Sequence, residues 1–461
     1  MTNNKFFTTR RGSAGIVIAV ILIIIIGALG YLYNSSMFER NAPKIDIASK
    51  IDWNLQKPLK LNLSDDSGIK FVRITLSDGK NTISLMKKVY NKISKTQSLD
   101  ITFPRTGFVS TKKNFQLMIQ VTDTSKWNFL SGNTAKKVVY LKIDRKRPEL
   151  YVIANSYKIT EGGAAVVVFK ATDENLKDLY IETNFGKKFY PTPFYKKGYY
   201  ISLLAWPVQS KNFRATVVAT DDAGNISKSR VRLFLQDKKY KLSKLTLKDS
   251  FLDGKISNLI SEIMPELSNA SKIEKFKAIN EKLRSINEKN IDKATDPTDT
   301  TMISNFKLHP FYPLKNSAAV ASFGDHRFYS YDGQEVSQAY HLGIDLASIR
   351  FANIRSKNSG TVVFAQPNGI YGNNLIIYHG LGLYTLYGHC SRFLVNVGDK
   401  IKPNQIVAKT GSTGLALGDH LHFGVLIQGI EVRPEEWMDK SWMKINISDI
   451  IAASKKIIDR N

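Results

Sequence analysis

An uninterrupted apolar run near the N-terminus is the strongest constraint in this sequence. Residues 14–33 read AGIVIAVILIIIIGALGYLY, and no charged residue occurs from Gly12 to Phe38. Such a run matches the roughly 20 apolar residues that cross the hydrocarbon core of a bilayer as a helix. The sequence therefore predicts a transmembrane signal anchor over residues 13–35, which holds the chain in the cytoplasmic membrane.

The charges beside this run predict its orientation. Lys5, Arg10 and Arg11 precede it, and basic flanks of membrane helices stay on the cytoplasmic side. Residues 1–12 are thus predicted to be a cytoplasmic tail, with the bulk of the chain in the periplasm of a Gram-negative envelope. A cleaved signal peptide is the alternative, although its apolar region usually spans only about 7–15 residues. No clear A-x-A cleavage site follows the run, which favours a retained anchor.

The overall charge narrows the class of partner. The chain has 66 Lys and Arg against 40 Asp and Glu, a formal net charge of +26. Such a surface attracts nucleic acid, lipid headgroups or an acidic wall polymer, unless it is only a lysine-rich surface without a specific partner. Export from the cytoplasm would separate this basic surface from nucleic acid, so no nucleic-acid partner is expected. The single cysteine, Cys390, excludes an intrachain disulfide.

Two β-sandwich domains are predicted after the anchor, at residues 40–145 and 146–240. Runs such as FVRITLSDG (71–79) and AAVVVFKATDE (164–174) alternate with a period near two between turn residues. KNFQLMIQVTD (113–123) is repeated as KNFRATVVATD (211–221), and a repeat near 100 residues is the size of one sandwich. TDDAGNIS and IDRKRPEL resemble bacterial immunoglobulin-like modules, which implies that the two domains are spacers.

The period changes in the next segment, which we predict to be a helical segment and linker over residues 241–300. Apolar residues recur there at intervals of three and four, which is typical of helices. One stripe consists of Ile273, Phe276, Ile279, Leu283 and Ile286. Two helices interrupted near Pro265 are expected, with the stripe packed against a neighbouring domain. A peripheral C-terminal tail with a short helix is predicted over residues 441–461.

The histidines point to a metal site in the last domain, predicted at residues 301–440. All seven follow residue 308. In GDHLHFG (418–424), a strand would place His420 and His422 on one face, where they can share a metal and its water. YHLGIDLAS (340–348) adds His341 and Asp345, and LYGHCS (386–391) adds His389. Catalytic zinc typically takes three such ligands and leaves one position for water.

The motifs HLGID, YGHC and GDHLHFGV, in this order and spacing, resemble the lysostaphin-type (LytM-type) zinc endopeptidases. The resemblance covers residues 310–440, about a quarter of the chain. It implies that Zn²⁺ is held by His341, Asp345 and His422. It further implies that His389 and His420 orient or deprotonate the attacking water. Cys390 and FGDHR (323–327) depart from the family pattern, so no metal or catalytic role is assigned to Cys390 or His326.

The predicted architecture is therefore mainly β, with a transmembrane helix, two tandem immunoglobulin-like sandwiches, a short helical segment and a C-terminal antiparallel β-sheet zinc peptidase domain. The resemblance implies an endopeptidase that hydrolyses peptide cross-links of cell-wall peptidoglycan. The alternative is a catalytically silent or autoinhibited regulator that activates other wall hydrolases, together with a regulatory protein partner. A wall-binding or adhesion protein would leave the histidine and aspartate constellation unexplained.

Overall fold

The fold is given by a computed structural model that describes residues 13–104 and 111–460. The predicted cytoplasmic tail, residues 1–12, lies outside the described residues. Helix α1 (Ser13–Asn34) begins the described chain. It is long and apolar enough to cross a membrane, and its span Gly15–Asn34 is not buried by the rest of the protein. This agrees with an N-terminal membrane anchor or signal sequence.

The chain divides into two compact units, Met1–Arg147 with Asp221–Asn225, and Pro148–Thr220 with Ile226–Asn461. In the described part of the first unit, two sheets share one apolar core that includes Leu61, Val72 and Leu117. Their strand orders are β1-β3-β6 and β2-β8-β7-β4-β5, and most of the strand pairs are antiparallel. This is a β-sandwich. The elements are β1 Lys44–Asp46, β2 Lys50–Trp53, β3 Leu59–Ser64, β4 Ile69–Ser77, β5 Thr82–Val89, β6 Thr96–Ile101, β7 Asn114–Asp123, the short helix α2 Trp127–Leu130 and β8 Thr134–Ile143.

The second unit begins with another pair of sheets. The orders are β14-β15-β11-β9 and β13-β12-β16-β17, and β10 pairs with β18. The strands are β9 Glu149–Asn155, β10 Lys158–Thr160, β11 Ala164–Thr172, β12 Leu176–Thr183, β13 Lys188–Phe189, β14 Thr192–Pro193, β15 Tyr199–Ala205, β16 Ala215–Asp221, β17 Ile226–Val231 and β18 Phe234–Gln236. The immunoglobulin-like character of both sandwiches and the domain limits remain predictions.

A helical segment follows, as predicted, and we define it as residues 249–295. Strand β19 (Leu242–Thr246) precedes it, and the helices are α3 Asp249–Phe251, α4 Ser257–Ile263, α5 Lys272–Lys277 and α6 Arg284–Thr295, with π-helical turns at Leu252–Ile256 and Ala278–Leu283. The interruption falls at Pro265, where a 3₁₀ turn replaces the helix. Ile286 is exposed instead of completing the predicted stripe, because the second π turn adds a residue and rotates Asn287 and Ile291 inward.

The C-terminal part is built on one large antiparallel sheet of order β20-β23-β31-β27-β26-β25-β29, with β32 beside β31. Smaller sheets are β19-β21-β22 and β24-β30-β28. The elements are β20 Ala318–Ala321, β21 His326–Tyr331, β22 Gln334–Tyr340, β23 Ile344–Ala347, β24 Asn353–Arg355, β25 Gly360–Pro367, β26 Asn373–Gly380, β27 Leu383–Cys390, β28 Arg392–Phe393, β29 Lys400–Ile401, β30 Ile406–Lys409, β31 Leu421–Ile427, β32 Ile430–Val432, α7 Pro434–Met438, α8 Lys440–Met443 and α9 Asp449–Arg460.

Strand β31 explains how this sheet is buried on both faces. Its odd-numbered residues, including Phe423 and Val425, join the core shared with the second sandwich, whereas Leu426 joins the core formed with the helical segment. Because side chains alternate along a strand, His422 lies on the face that the helical segment covers. The position of the helical segment therefore bears directly on the site.

The C-terminal tail differs from its predicted peripheral position. Ile451 and Ile458 of α9 are buried in the core that also contains the strands of the second sandwich. The hydroxyl of Ser156 donates to the carbonyl of Asn446 at 2.8 Å. The apolar residues of this helix recur on one face, so the tail packs against the sandwich as part of the fold.

Candidate metal centre

Three side chains, two of them from adjacent strands, form a compact donor cluster. His341 follows β22, Asp345 lies in β23, and His422 lies in β31, directly opposite Asp345 in the pairing register. The His341 Nε2, His422 Nδ1 and Asp345 Oδ1 atoms are 2.9 to 3.1 Å apart. Ligand atoms about 2.0–2.2 Å from a tetrahedral zinc ion stand about 3.3 Å from one another, so this donor set fits one such ion.

Hydrogen bonds to backbone carbonyls orient the histidine rings around this cluster. His341 Nδ1 is 2.8 Å from the Ser322 oxygen, His389 Nδ1 is 2.8 Å from the Thr413 oxygen, and His420 Nδ1 is 2.9 Å from the Gly418 oxygen. A carbonyl oxygen can only accept, so each of these Nδ1 atoms carries the hydrogen. In its neutral form each ring therefore presents an unprotonated Nε2, which can bind a metal or accept a proton.

His389 and His420 stand beside the donor cluster. The two ring centroids are 4.7 Å apart, and the His389 ring is 5.9 Å from the His422 ring. His420 Nε2 lies 3.7 Å from Asp345 Oδ1. The structure thus brings together all five residues singled out in the sequence.

Burial sets the charge states of this cluster. Burial alone would raise the pKa of Asp345, but the close polar contacts of its carboxylate with His341 and His422 outweigh burial and hold that pKa well below its usual range. Burial lowers the pKa of His422 to about 4. Burial, followed by the neighbouring histidines, lowers the pKa of His389 to about 3. Asp345 is therefore ionised and His422 neutral, as metal binding requires.

The remaining sequence candidates lie apart from the donor cluster. His326 stacks on Tyr340 with ring centroids 4.1 Å apart. His379 bonds the Ser359 oxygen and the Thr385 hydroxyl. Cys390 is fully buried, and burial raises the pKa of its thiol to about 12. A thiol in that state is neither a nucleophile nor a metal ligand at neutral pH.

A groove of about 960 Å³ runs past the donor cluster. One wall carries the five site residues and the loop from Leu415 to His420. The other wall comes from β19 and the helical segment, through Phe251, Lys255, Phe276 and Arg284. Sequence reasoning predicted that the helical stripe packs against a neighbouring domain but did not predict that it forms this wall, because nothing in a local pattern says which surface a stripe will cover.

Sequence reasoning also missed Tyr371, whose ring packs on His422 with centroids 5.5 Å apart. It lies in a 3₁₀ turn, Gly369–Tyr371, that is buried against the helical segment. The available signal was the glycine-rich run PNGIYGNN (367–374), whose composition is typical of turns.

Comparisons with known proteins agree with this geometry. Residues 339–434 match the family model for Peptidase family M23. Over 94 residues the chain is 36% identical to the DD-carboxypeptidase/endopeptidase Mpg of Neisseria meningitidis, covering 20% of this chain and 22% of that protein. Over 118 residues it is 31% identical to the peptidoglycan DD-endopeptidase ShyA of Vibrio cholerae, covering 26% of each. The chain thus spans about a quarter of the length of these two relatives.

Among solved structures, the catalytic domain of lysostaphin from Staphylococcus simulans aligns with 25% identity and a TM-score of 0.23, covering 27% of this chain and 92% of that one. The match to the family model confirms the resemblance predicted from the sequence: the C-terminal part of the chain contains an M23 (LytM-type) metallopeptidase domain.

Proposed function

We propose that this chain, whose residues 339–434 form an M23 domain, is a membrane-anchored zinc endopeptidase that hydrolyses peptide cross-links of peptidoglycan. The observation that carries the proposal is the convergence of His341, Asp345 and His422 on one point, with His389 and His420 beside them. In this proposal the first three residues hold Zn²⁺. The name of one relative, the peptidoglycan DD-endopeptidase ShyA, supports the substrate class.

The bound zinc would lower the pKa of a water molecule and polarise the scissile carbonyl. The residues of the chain supply the rest of the chemistry. The unprotonated Nε2 of His420 or His389 accepts the proton of the attacking water. The resulting imidazolium then donates a hydrogen bond to the developing oxyanion or a proton to the leaving amine.

The membrane part of the proposal rests on α1 and on the basic residues that precede it in the sequence. A retained anchor would place the M23 domain outside the cytoplasm, where its substrate is found. The net charge of +26 suits an acidic wall or an anionic membrane surface.

The alternative is a silent or autoinhibited M23 regulator that activates other wall hydrolases. An open groove of about 960 Å³ reaches the site residues, which supports access by a peptide over a plugged site. The helical segment forms a wall of this groove and does not fill it.

The test uses the full chain in detergent, because the helical segment shares its core with the M23 sheet. Zinc content and the digestion of cross-linked muropeptides, followed by mass spectrometry, would be compared with the His422→Ala variant. About one zinc per chain and loss of cross-linked dimers, both absent in the variant, are expected. Bound zinc without cleavage of any wall type would favour the regulator.

A further inference from the structure

The groove carries more cations than acids on its walls. Among the described residues that line it, the cations are Lys241, Lys248, Lys255, Arg284 and Arg327, and the acids are Asp325, Asp345 and Asp419. Lys255 and Arg284 belong to the helical segment, which lies outside the residues that match the family model. The charge of this part of the wall is therefore carried by residues outside the matched M23 region.

Each of the three acids already has partners. Asp345 bonds the two histidines of the donor cluster. Asp325 accepts from Arg327 at 3.1 Å and from Ser243 at 2.8 Å. Asp419 accepts from the backbone N–H of Phe351 at 3.1 Å. Asp325 thereby neutralises Arg327, whereas none of the three acids engages the cations of the helical segment.

Lys255 is a groove cation that a single hydrogen bond holds in place. It lies in the π-helical turn Leu252–Ile256, and its ammonium donates across to the carbonyl of Ser412, at 3.0 Å. Within the described chain, no ion pair includes Lys255. An ammonium has three hydrogens to donate, so a neutral carbonyl leaves both its charge and two of its donors available to the groove.

The surroundings of Lys255 favour an anionic ligand. Partial burial lowers the pKa of its ammonium, and the charge of Glu262 counteracts this only in part. A partly desolvated cation gains more from an anionic acceptor than from a neutral one, because the attraction between opposite charges adds to the hydrogen bond. The groove thus offers a preformed place for a carboxylate opposite the loop that carries His420.

We propose that Lys255 forms a carboxylate-binding subsite of the groove, which recognises a free carboxylate of the peptide substrate. This rests on the proposed function and narrows its substrate class. In a D-alanyl–meso-diaminopimelate cross-link, a free carboxylate sits one carbon from the scissile amide nitrogen. A glycine bridge has no such group. The subsite therefore favours cross-links that carry such a carboxylate over those that lack one.

Equilibrium binding tests the subsite apart from catalysis. The probes are a synthetic D-alanyl–meso-diaminopimelate peptide and its analogue in which the carboxylate beside the amide is a carboxamide. Isothermal titration into the full chain in detergent, with EDTA to prevent cleavage, should give about tenfold tighter binding of the carboxylate. Lys255→Met should bring the carboxylate peptide to the affinity of the carboxamide and leave the carboxamide unchanged.

Matched variants make the result specific. Lys255→Arg should keep the preference, and so should Lys277→Met, which removes an exposed lysine of the same segment that does not line the groove. Equal binding of both peptides by the wild type would overturn the subsite, and so would binding of neither. An equal loss for both peptides in Lys255→Met would show a purely structural role and would also overturn it.

The same samples separate this proposal from the proposed function. Without EDTA and with zinc added, a wild type that prefers the carboxylate peptide but never cleaves it would retain the subsite and remove the endopeptidase. Cleavage without any preference between the peptides would retain the endopeptidase and overturn the subsite.

Discussion

Gly343 lies directly against the ring of His422. A Cβ at position 343 would stand 2.6 Å from the Cε1 and Nε2 atoms of His422 and 2.8 Å from the carbonyl oxygen of Phe423. Such distances are far below van der Waals contact. The glycine of HLGID is therefore required by close approach to a site histidine, which the sequence motif alone does not explain.

Gly343→Ala should displace the ring of His422 and weaken zinc binding. We expect zinc affinity to fall by about 10- to 100-fold, the scale seen when the support of a metal ligand is removed. Competition with a chromophoric chelator on the full chain measures this. Gly254→Ala is the control, because a Cβ there meets nothing within 4 Å. Unchanged zinc affinity in Gly343→Ala would contradict the proposed ligand role of His422.

His420→Ala and His389→Ala should separate catalysis from metal binding. If the two rings act on the attacking water, each variant should keep its zinc and lose about 10²- to 10⁴-fold in cleavage rate. Metal analysis and muropeptide digestion on the same samples check both parts. Loss of zinc from His420→Ala would mean that this ring is a ligand, contrary to the proposal.

Asn287→Ala should loosen the turn that carries Tyr371. The side-chain oxygen of Asn287 accepts from the backbone N–H of Ile370 at 2.9 Å, and Asn287 is almost fully buried. Its loss leaves a buried N–H without that partner, at a cost of about 1–3 kcal/mol. Hydrogen exchange at residues 369–371 should become faster, whereas the exposed change Lys289→Ala should leave it as in the wild type. Equal exchange in the two variants would show that this bond does not hold the turn.

Glu436 should make stability depend on pH. Burial raises the pKa of Glu436 to about 7, although Arg433, the N–H of Ala164 and the charge of Lys158 counteract the rise and Glu435 adds to it. Between its ordinary value of 4.5 and about 7, the folded chain keeps a proton that the unfolded chain releases. Stability from this group is therefore full below pH 4.5 and falls by about 3 kcal/mol as pH rises through 7.

Glu436→Gln should remove this dependence, because the amide resembles the protonated carboxyl. Thermal unfolding at about pH 5 and about pH 8 measures it. Between the two pH values, the midpoint temperature of unfolding should fall further in the wild type than in the variant. Parallel changes in the two proteins would show that the carboxyl is already ionised in the fold at pH 5.

Cys390 should be inert in the folded protein. Its side chain is fully buried and burial raises the pKa of the thiol to about 12, so the thiolate needed for alkylation is scarce. Iodoacetamide should label the chain in urea but not under native conditions, and Cys390→Ala should retain cleavage. Native labelling on the time scale of a free cysteine would contradict the buried position.

Local patterns predicted much of this protein. The apolar run predicted α1, the period of two predicted the strands, and the period near 3.6 with Pro265 predicted the interrupted helical segment. The i and i+2 spacing of His420 and His422 placed both rings toward one site, because side-chain direction along a strand depends only on the local backbone. Family motifs then identified His341, Asp345 and His389 as their companions.

Tertiary structure decided what lies across from that site. Lys255 donates to Ser412, which is 157 positions away in the sequence, and Asn287 accepts from Ile370, which is 83 positions away. The π turn Ala278–Leu283 also rotated the residues that follow it in the helical segment, so Ile286 of the predicted apolar stripe is exposed. Local sequence does not specify such pairings, because they depend on which packing of the apolar faces buries the most apolar surface. The sequence thus identified the candidate metal-binding residues, and the packing of the helical segment decided the shape and charge of the groove beside them.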